Sequence, residues 1–281
     1  MTIDFSRAPE IDRGRARDLR VLVLTGYGLN CEAETAAGFR WLGAQADLRH
    51  VADVLDGGAD VLRPYGLLAF IGGFSFGDHV ASGRVLANRL RHRLGERLQR
   101  FVGDGGLCLG ICNGFQTLIK LGLLPGGDGL AQAVSLVDND RLGYWDAWVR
   151  LAVDPDSPCV FTRGLADAVV EFPSRHGEGK FVYGDAETRA VLEARHLVPV
   201  RYADANGAPT EAWPDNPDGS PGGAAGLCDA SGRVFGLMPH PEAYLYPESH
   251  PRWISRREAG TLPEVGLGLH LLANGVRAAI A

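Results

Sequence analysis

Along this chain, short unbroken apolar runs alternate with stretches whose apolar residues recur every three or four positions. The clearest runs are Val21-Leu22-Val23-Leu24, Leu67 to Ile71, Leu107 to Ile111 and Val234 to Met238. Runs of this kind predict strands buried on both faces, as in a parallel sheet. Asp47 to Val51 predicts a further strand. Between the runs lie helical patterns. After the turn at 25–30, Asn30 is placed to cap a helix with acidic Glu32 and Glu34 in its first turn. Its apolar face is Ala33, Ala36, Ala37, Phe39 and Leu42, and Gly43 ends it. A short helix is expected over 54–62. A long one is expected from about Arg84 to about Phe101, with leucines at 86, 90, 94 and 98. Phe115 to Leu121 predicts another, stopped by Gly122.

This β-α-β-α order predicts an α/β fold with a doubly wound, mostly parallel sheet and right-handed crossovers. After Gly122 the texture changes. Ala133 to Val137 and Tyr144 to Val153 have partly alternating character, and turn signals recur at 138–140, 206–207 and 216–219. These predict antiparallel excursions from the sheet rather than a second domain. Residues 173–181 are expected to form a polar, glycine-bearing loop containing His176. The expected organisation is a polar lead-in at 1–19, one domain over 20–245 and an extension over 246–281 packed on it. Gly266 to Ile280 predicts a terminal amphipathic helix.

Composition narrows the function classes. The chain has 281 residues, enough for a sizeable core, and 46% of them are hydrophobic against 22% charged, an ordinary globular balance. A net charge of −6 without a Lys/Arg cluster argues against nucleic acid as a partner. No apolar run is long enough to span a bilayer, and the charged N-terminal residues contain no apolar signal segment. The five cysteines (31, 108, 112, 159 and 228) are scattered, without a Cys-x-x-Cys pair. That fits a reducing cytoplasm and shows no metal-ligand spacing.

The chemistry concentrates at Gly110-Ile111-Cys112-Asn113-Gly114, between the Leu107 strand and the Phe115 helix. This is a Gly-x-nucleophile-x-Gly elbow with cysteine at its centre. A strand that turns at once into a helix forces the middle residue into strained backbone, and glycine neighbours relieve the crowding. The thiol is then raised at the carboxyl edge of the sheet, at a helix N-terminus that favours thiolate. Simple core packing is the alternative reading for Cys112, and it is the preferred one for Cys108. Gly72-Gly73-Phe74-Ser75-Phe76-Gly77-Asp78 follows the Leu67 strand and suits an oxyanion-binding loop. Pro239-His240-Pro241-Glu242 follows the Val234 strand. Proline keeps it extended, so His240 and Glu242 point to one side, with the carboxylate on one imidazole nitrogen. Cys112, His240 and Glu242 then make a triad by role. A substrate contact and a merely exposed residue are both open for His176.

These three motifs together resemble class I, triad-type glutamine amidotransferases, which have a flavodoxin-like fold. More narrowly, they resemble the glutaminase subunits of phosphoribosylformylglycinamidine synthase. Asn113-Gly114-Phe115-Gln116, Gly73 to Asp78, His176-Gly177-Glu178-Gly179, Asn216-Pro217-Asp218-Gly219-Ser220 and the opening Gly28-Leu29-Asn30-Cys31-Glu32 carry the narrower likeness. The resemblance implies that Cys112 attacks the side-chain amide of L-glutamine, that His240 moves the proton and that Glu242 orients His240. It implies backbone oxyanion donors at Gly73 and Asn113, substrate contacts from Gln116 and His176, and no metal. Ammonia would pass through a channel to a synthetase subunit, where ATP and Mg react it with formylglycinamide ribonucleotide in purine biosynthesis; a small bridging subunit is a possible third component. This chain carries no phosphate-cradling motif of its own, so no cofactor is expected on it. Other readings remain: a glutaminase for another acceptor, a related Cys hydrolase that does not use glutamine, or a silent regulatory subunit. The segment after Glu242, with Tyr244, Tyr246, His250, Pro251 and Trp253, is expected to pack over the site mouth or meet the partner, its last helix packing on the sheet.

Overall fold

The computed structural model describes residues 3–281. In chain order the elements are α1 (Arg13–Ala16), β1 (Arg20–Thr25), α2 (Glu32–Trp41), β2 (Gln45–His50), α3 (Val51–Asp56), β3 (Leu67–Phe70), α4 (Arg84–Gly103), β4 (Leu107–Ile111) and α5 (Asn113–Leu121). Then come β5 (Val134–Asp138), β6 (Trp145–Val153), β7 (Val170–His176), β8 (Glu178–Tyr183), α6 (Ala186–Ala194), β9 (Val200–Ala203), β10 (Gly226–Cys228), β11 (Val234–Leu237), α7 (Trp253–Glu258) and α8 (Leu267–Ala279).

The apolar runs form the central sheet, in the order β10-β11-β4-β3-β1-β2. All neighbours are parallel except the edge pair β10–β11. One row crosses five strands: Phe235, Leu109, Ala69, Val23 and Leu48 stand side by side. β3, β4 and β11 are buried at every position, as runs covered on both faces require. The antiparallel excursions are a three-stranded sheet, β7-β6-β9, and a two-stranded one, β5-β8. The α/β class and its antiparallel additions are therefore as expected.

Several local expectations are corrected. The supposed loop at 173–181 is mostly strand. β7 and β8 meet at Gly177, because each finds a different antiparallel partner, β6 and β5. The helix expected at 54–62 begins earlier, at Val51, capped by the His50 side chain, and ends at Asp56 before two glycines. Asn30 does not cap α2. Cys31 holds that position in left-handed backbone (φ 70°), without a side-chain cap bond, and Ala33 is exposed.

The last helix is no surface amphipath. Residues 267–276 of α8 are buried at every position. Gly268 explains the closeness: a Cβ there would lie 1.8 Å from the Pro241 carbonyl oxygen. Asn274 anchors the other end, its amide donating to the Phe161 and Arg163 carbonyls at 3.0 and 2.8 Å. The stretch between is tied down by Glu171 of β7, whose carboxylate accepts from His250, Arg252 and Arg256 at 2.9–3.0 Å. Burial alone would raise the Glu171 pKa, but His250 and the two guanidiniums bring it below the usual range.

Close packing at glycine gives a direct stability contrast. A Cβ at Gly114 would lie 1.9 Å from the Phe70 carbonyl oxygen, whereas one at exposed, helical Gly103 meets nothing within 4 Å. Gly114→Ala is expected to destabilise the fold by at least about 1–3 kcal/mol. Gly103→Ala is expected to stabilise it by about 0.5–1 kcal/mol. Midpoints of urea unfolding for the two variants, read against the parent chain, check both signs.

Candidate active site

Cys112 sits where β4 turns into α5. Its backbone has φ 51° and ψ −108°, a strained conformation for a residue with a Cβ. The flanking glycines are needed there. A Cβ at Gly110 would meet Leu118 at 2.6 Å, and Gly114 packs on the β3 backbone. The turn is also fixed from the neighbouring strand, since Cys112 N–H donates to the Leu237 carbonyl at 2.9 Å.

That bond explains how residues distant in sequence meet. β4 and β11 are parallel neighbours with Ile111 beside Leu237, so whatever leaves their carboxyl ends leaves side by side. From β4 comes Cys112, and from β11 comes His240. His240 is non-helical (φ −107°, ψ 89°), since Pro241 disfavours helical backbone before it, and its N–H donates to the Pro173 carbonyl at 2.7 Å. Its Nδ1 lies 2.6 Å from Glu242 Oε1, with both side chains buried. Gly72, after β3, leaves room for the imidazole: a Cβ there would lie 2.9 Å from His240 Cε1 and 3.7 Å from Cys112 Cβ. Burial opposes a charged imidazole. The Glu242 carboxylate and the adjacent Cys112 and Cys31 thiols outweigh it and hold the His240 pKa well above its ordinary value.

Gly73 is the next expected site residue. It lies opposite Leu29 in an antiparallel bridge whose two hydrogen bonds run from Asn30 N–H to Gly72 and from Phe74 N–H to Gly28. This is the widely spaced kind of pair, so the Gly73 N–H is not used by Leu29 and meets no acceptor among the described residues. Its φ of 116° and the Gly28 carbonyl, 2.5 Å from where a Cβ would be, both require glycine. Asn113 opens α5, where the first N–H groups have no intrahelical acceptor. Its side chain ties the helix to the loop, donating to Asp78 Oδ1 at 2.9 Å and to Gln116 Oε1 at 3.0 Å.

Cys112, His240, Gly73, Gln116 and His176 all line one cleft. Glu242 stands behind it, on the far side of the imidazole. The two expected substrate contacts are largely engaged already. Gln116 donates to the Glu178 carbonyl at 2.5 Å. His176 is buried, with Nε2 2.9 Å from Ser174 Oγ and Nδ1 3.2 Å from Asn139 Oδ1. Burial pushes its pKa down to about 3, so the ring is neutral. His176 is thus not the exposed residue that spacing left open. Cys108 is fully buried with its thiol pKa pushed up, as packing demands.

Sequence reasoning missed three features. Cys31 lies beside His240, and the only signal for it was its place in the opening motif. Arg175 supplies a carbonyl 3.7 Å from Cys112 Sγ, and nothing in its type marked it. Asp78 accepts from Asn113 and from Ser82, the latter at 2.8 Å, and so braces the Gly72 loop. Its place at the end of the Gly-Gly-Phe-Ser-Phe-Gly-Asp motif was a usable signal. One of the two expectations for the tail, packing over the site mouth, is corrected: among the described residues none after His240 lines the cleft, and α8 instead backs the 241–243 turn from behind. The rim carries exposed Phe74 and Tyr144, their rings 6.0 Å apart. A wider cleft of about 470 Å³ opens at the opposite end of the sheet, by Gly66 and Leu107, away from this chemistry.

Comparison with known proteins agrees with this geometry. A family model described as a CobB/CobQ-like glutamine amidotransferase domain matches residues 18–277. The chain belongs to the glutamine amidotransferase family. Within it, the likeness is to subunits named phosphoribosylformylglycinamidine synthase subunit PurQ. The one from Dehalococcoides mccartyi is 40% identical over 259 residues, covering 92% of this chain and 97% of that one. The one from Methanococcus maripaludis is 40% identical over 266 residues, covering 92% and 96%. Human phosphoribosylformylglycinamidine synthase is 36% identical over 81% of this chain but only 18% of its own length. Among solved structures, one described as the structure of PurLQS from Thermotoga maritima superposes with a TM-score of 0.66 at 25% identity, covering 92% of this chain and 98% of that one.

The buried imidazole of His176 sets a pH dependence. A histidine held near pKa 3 in the fold and near 6.5 when unfolded contributes stability that is present above pH 6.5 and lost as pH falls toward 3. Asp218, pushed up to about 6 by burial, works with the opposite sign, losing its contribution as pH rises through 6. His176→Gln is expected to flatten the acid limb by roughly 1.4 kcal/mol per pH unit between 3 and 6.5. Chemical denaturation of parent and variant at several pH values measures the difference.

Proposed function

We propose that this chain is the glutaminase subunit of a phosphoribosylformylglycinamidine synthase, releasing ammonia from L-glutamine through a Cys112 thioester. The observation that carries the reading is the strained Cys112 elbow standing beside a buried His240–Glu242 pair. The Cys112 thiolate attacks the side-chain carbonyl carbon of glutamine and forms a C–S bond. The carbonyl electrons move to oxygen, where the N–H groups of Gly73 and Asn113 receive the negative charge. The C–N bond breaks as His240 Nε2 delivers a proton to the leaving nitrogen. Water then enters. His240 takes its proton, and attack on the γ-glutamyl thioester frees glutamate and the thiolate. Glu242 holds Nδ1, which fixes the ring orientation and leaves Nε2 for the reacting atoms. Gln116 and His176 shape the glutamine pocket, His176 from beneath through its fixed neutral ring.

The ammonia passes to a synthetase partner. There ATP, with Mg²⁺, drives its addition to formylglycinamide ribonucleotide to give the amidine. This chain needs no cofactor of its own. The exposed rim of Phe74 and Tyr144, with Val80 and Leu142 close by in sequence, is the face we assign to that partner. We place the assembly in the cytoplasm, with a small bridging subunit as its possible third component. No helix among the described residues is long and apolar enough to cross a membrane.

The test is glutamine-dependent ammonia release by the chain alone and with the synthetase subunit, ATP and formylglycinamide ribonucleotide. Release is expected to rise with the partner and to vanish in Cys112→Ala. Glu242→Gln is expected to keep the fold and lower kcat about ten-thousand-fold, because the imidazole loses its orienting charge. Absence of release in every setting, with Cys112 unlabelled by a glutamine-site alkylator, would overturn the reading.

A further inference from the structure

The two side chains expected to hold the substrate are largely spent on the protein itself, Gln116 on the Glu178 carbonyl and His176 on Ser174 and Asn139. Free glutamine still brings an ammonium and a carboxylate that the cleft must meet. Two carboxylates line that cleft, Asp78 and Glu178. Both are fixed on Ser82: Asp78 accepts from its hydroxyl at 2.8 Å, and Glu178 accepts from its N–H at 3.1 and 3.2 Å. Lys120 lies 3.8 Å from Glu178, but its side chain is only 2% exposed, it donates to the Ser82 carbonyl and it does not line the cleft. Two carboxylates thus face the cleft against one ammonium sealed beneath it. An ionised carboxylate offers about four acceptor positions, and the Ser82 N–H leaves Glu178 room for more donors.

A second observation locates the other end of the substrate. His240 Nε2 is buried and has no hydrogen-bond partner among the described residues, while Nδ1 is occupied by Glu242. The reacting amide belongs beside Nε2 and Cys112. The spacing to Glu178 fits. Gln116 stands one turn of α5 beyond Cys112, its N–H donating to the Cys112 carbonyl at 3.0 Å, and its side chain reaches the Glu178 carbonyl at 2.5 Å. One helical turn is about 5.4 Å. From side-chain amide carbon to ammonium nitrogen, extended glutamine spans about 5 Å.

We propose that Glu178, with Asp78 beside it, binds the α-ammonium group of the substrate and makes the site specific for a free L-amino acid amide over one whose amine is acylated or missing. The inference rests on the glutaminase reading. The ammonium donates to Glu178, and its charge eases the repulsion between the two carboxylates. Burial pushes the Asp78 carboxyl up, the Ser82 and Asn113 bonds oppose that, and the Glu178 charge adds to it. Arg175, the one guanidinium among the residues lining the cleft, supplies the opposite charge for the α-carboxylate. The ammonium is remote from the reacting carbon and keeps its charge throughout. Its contact is the same before and during reaction, so loss of the contact raises KM and spares kcat.

The experiment compares ammonia release from glutamine and from glutaramate, which is glutamine without its amino group, by the full-length chain with its synthetase partner. The parent is expected to favour glutamine by roughly 10–100-fold in kcat/KM, the worth of one hydrogen bond to a charged group. Glu178→Gln removes the charge and keeps an acceptor for Ser82. It is expected to raise the KM for glutamine by roughly 10–100-fold and to leave kcat within about threefold. Its turnover of glutaramate is expected to stay within about threefold of the parent's, so that the preference disappears. A lost brace at Ser82 would instead slow both substrates alike and keep their ratio, and that result overturns the proposal. Equal use of the two substrates by the parent overturns it without any variant. A parent that releases no ammonia from glutamine overturns the glutaminase reading and this inference together, and the first measurement tells that outcome from the others.

Discussion

The structure hangs on one hydrogen bond and the register it enforces. Cys112 N–H reaches the Leu237 carbonyl because β4 and β11 run parallel with Ile111 beside Leu237. That single alignment brings a thiol and an imidazole to the same sheet edge. It also sets Gly72 and Gly73 close by, because β3 flanks β4 on the other side. A shift of one residue in β11 would turn its side chains to the opposite face and carry His240 away from Cys112. Burial on both faces of these strands makes such a shift costly, so the core holds the site's geometry as well as the fold.

Around this edge the chain surrounds the reacting atoms with fixed polar groups. Asn113 joins the elbow helix to the Gly72 loop through Asp78, and Asp78 holds Ser82. Ser82 N–H in turn meets Glu178 of β8, and buried Lys120 of α5 reaches both the Ser82 carbonyl and Glu178. Loop, elbow helix and antiparallel sheet are thus one braced unit. Such bracing favours a site organised before substrate arrives.

Much of this was legible in the sequence, for identifiable reasons. Strands buried on both faces announce themselves as unbroken apolar runs, so β1, β3, β4 and β11 stood out. The elbow and the His-Pro-Glu turn are local devices whose glycines and prolines carry the geometry. What the sequence hid is what depends on distant partners. β8 looks polar because alternate positions face the cleft or solvent, and β7 because its Glu171, Ser174 and His176 are polar yet buried, so only pairing with β6 and β5 makes them strands. The engagement of His176 by Ser174 and Asn139 follows from that pairing. Cys31 was quoted in a motif but not placed beside His240, because no local spacing relates residues so far apart. The buried α8 read as amphipathic because its small and polar members, Gly268, His270 and Asn274, serve close contacts rather than water.

The seat of α8 on the Pro241 carbonyl bears on the order in which the molecule matures. The elbow's own strand and helix are local, since β3, β4 and α5 span residues 67–121, although the bond from Cys112 N–H to Leu237 waits for β11. The thiol's acid–base partner arrives with residues 234–242, and the helix behind that turn comes later still. Closing so long a loop is slow compared with the local steps. A chain in which β11 is not yet paired with β4 therefore holds a cysteine without the base that would activate it. Reactivity requires β11 to be paired beside β4, a built-in safeguard against a half-made nucleophile.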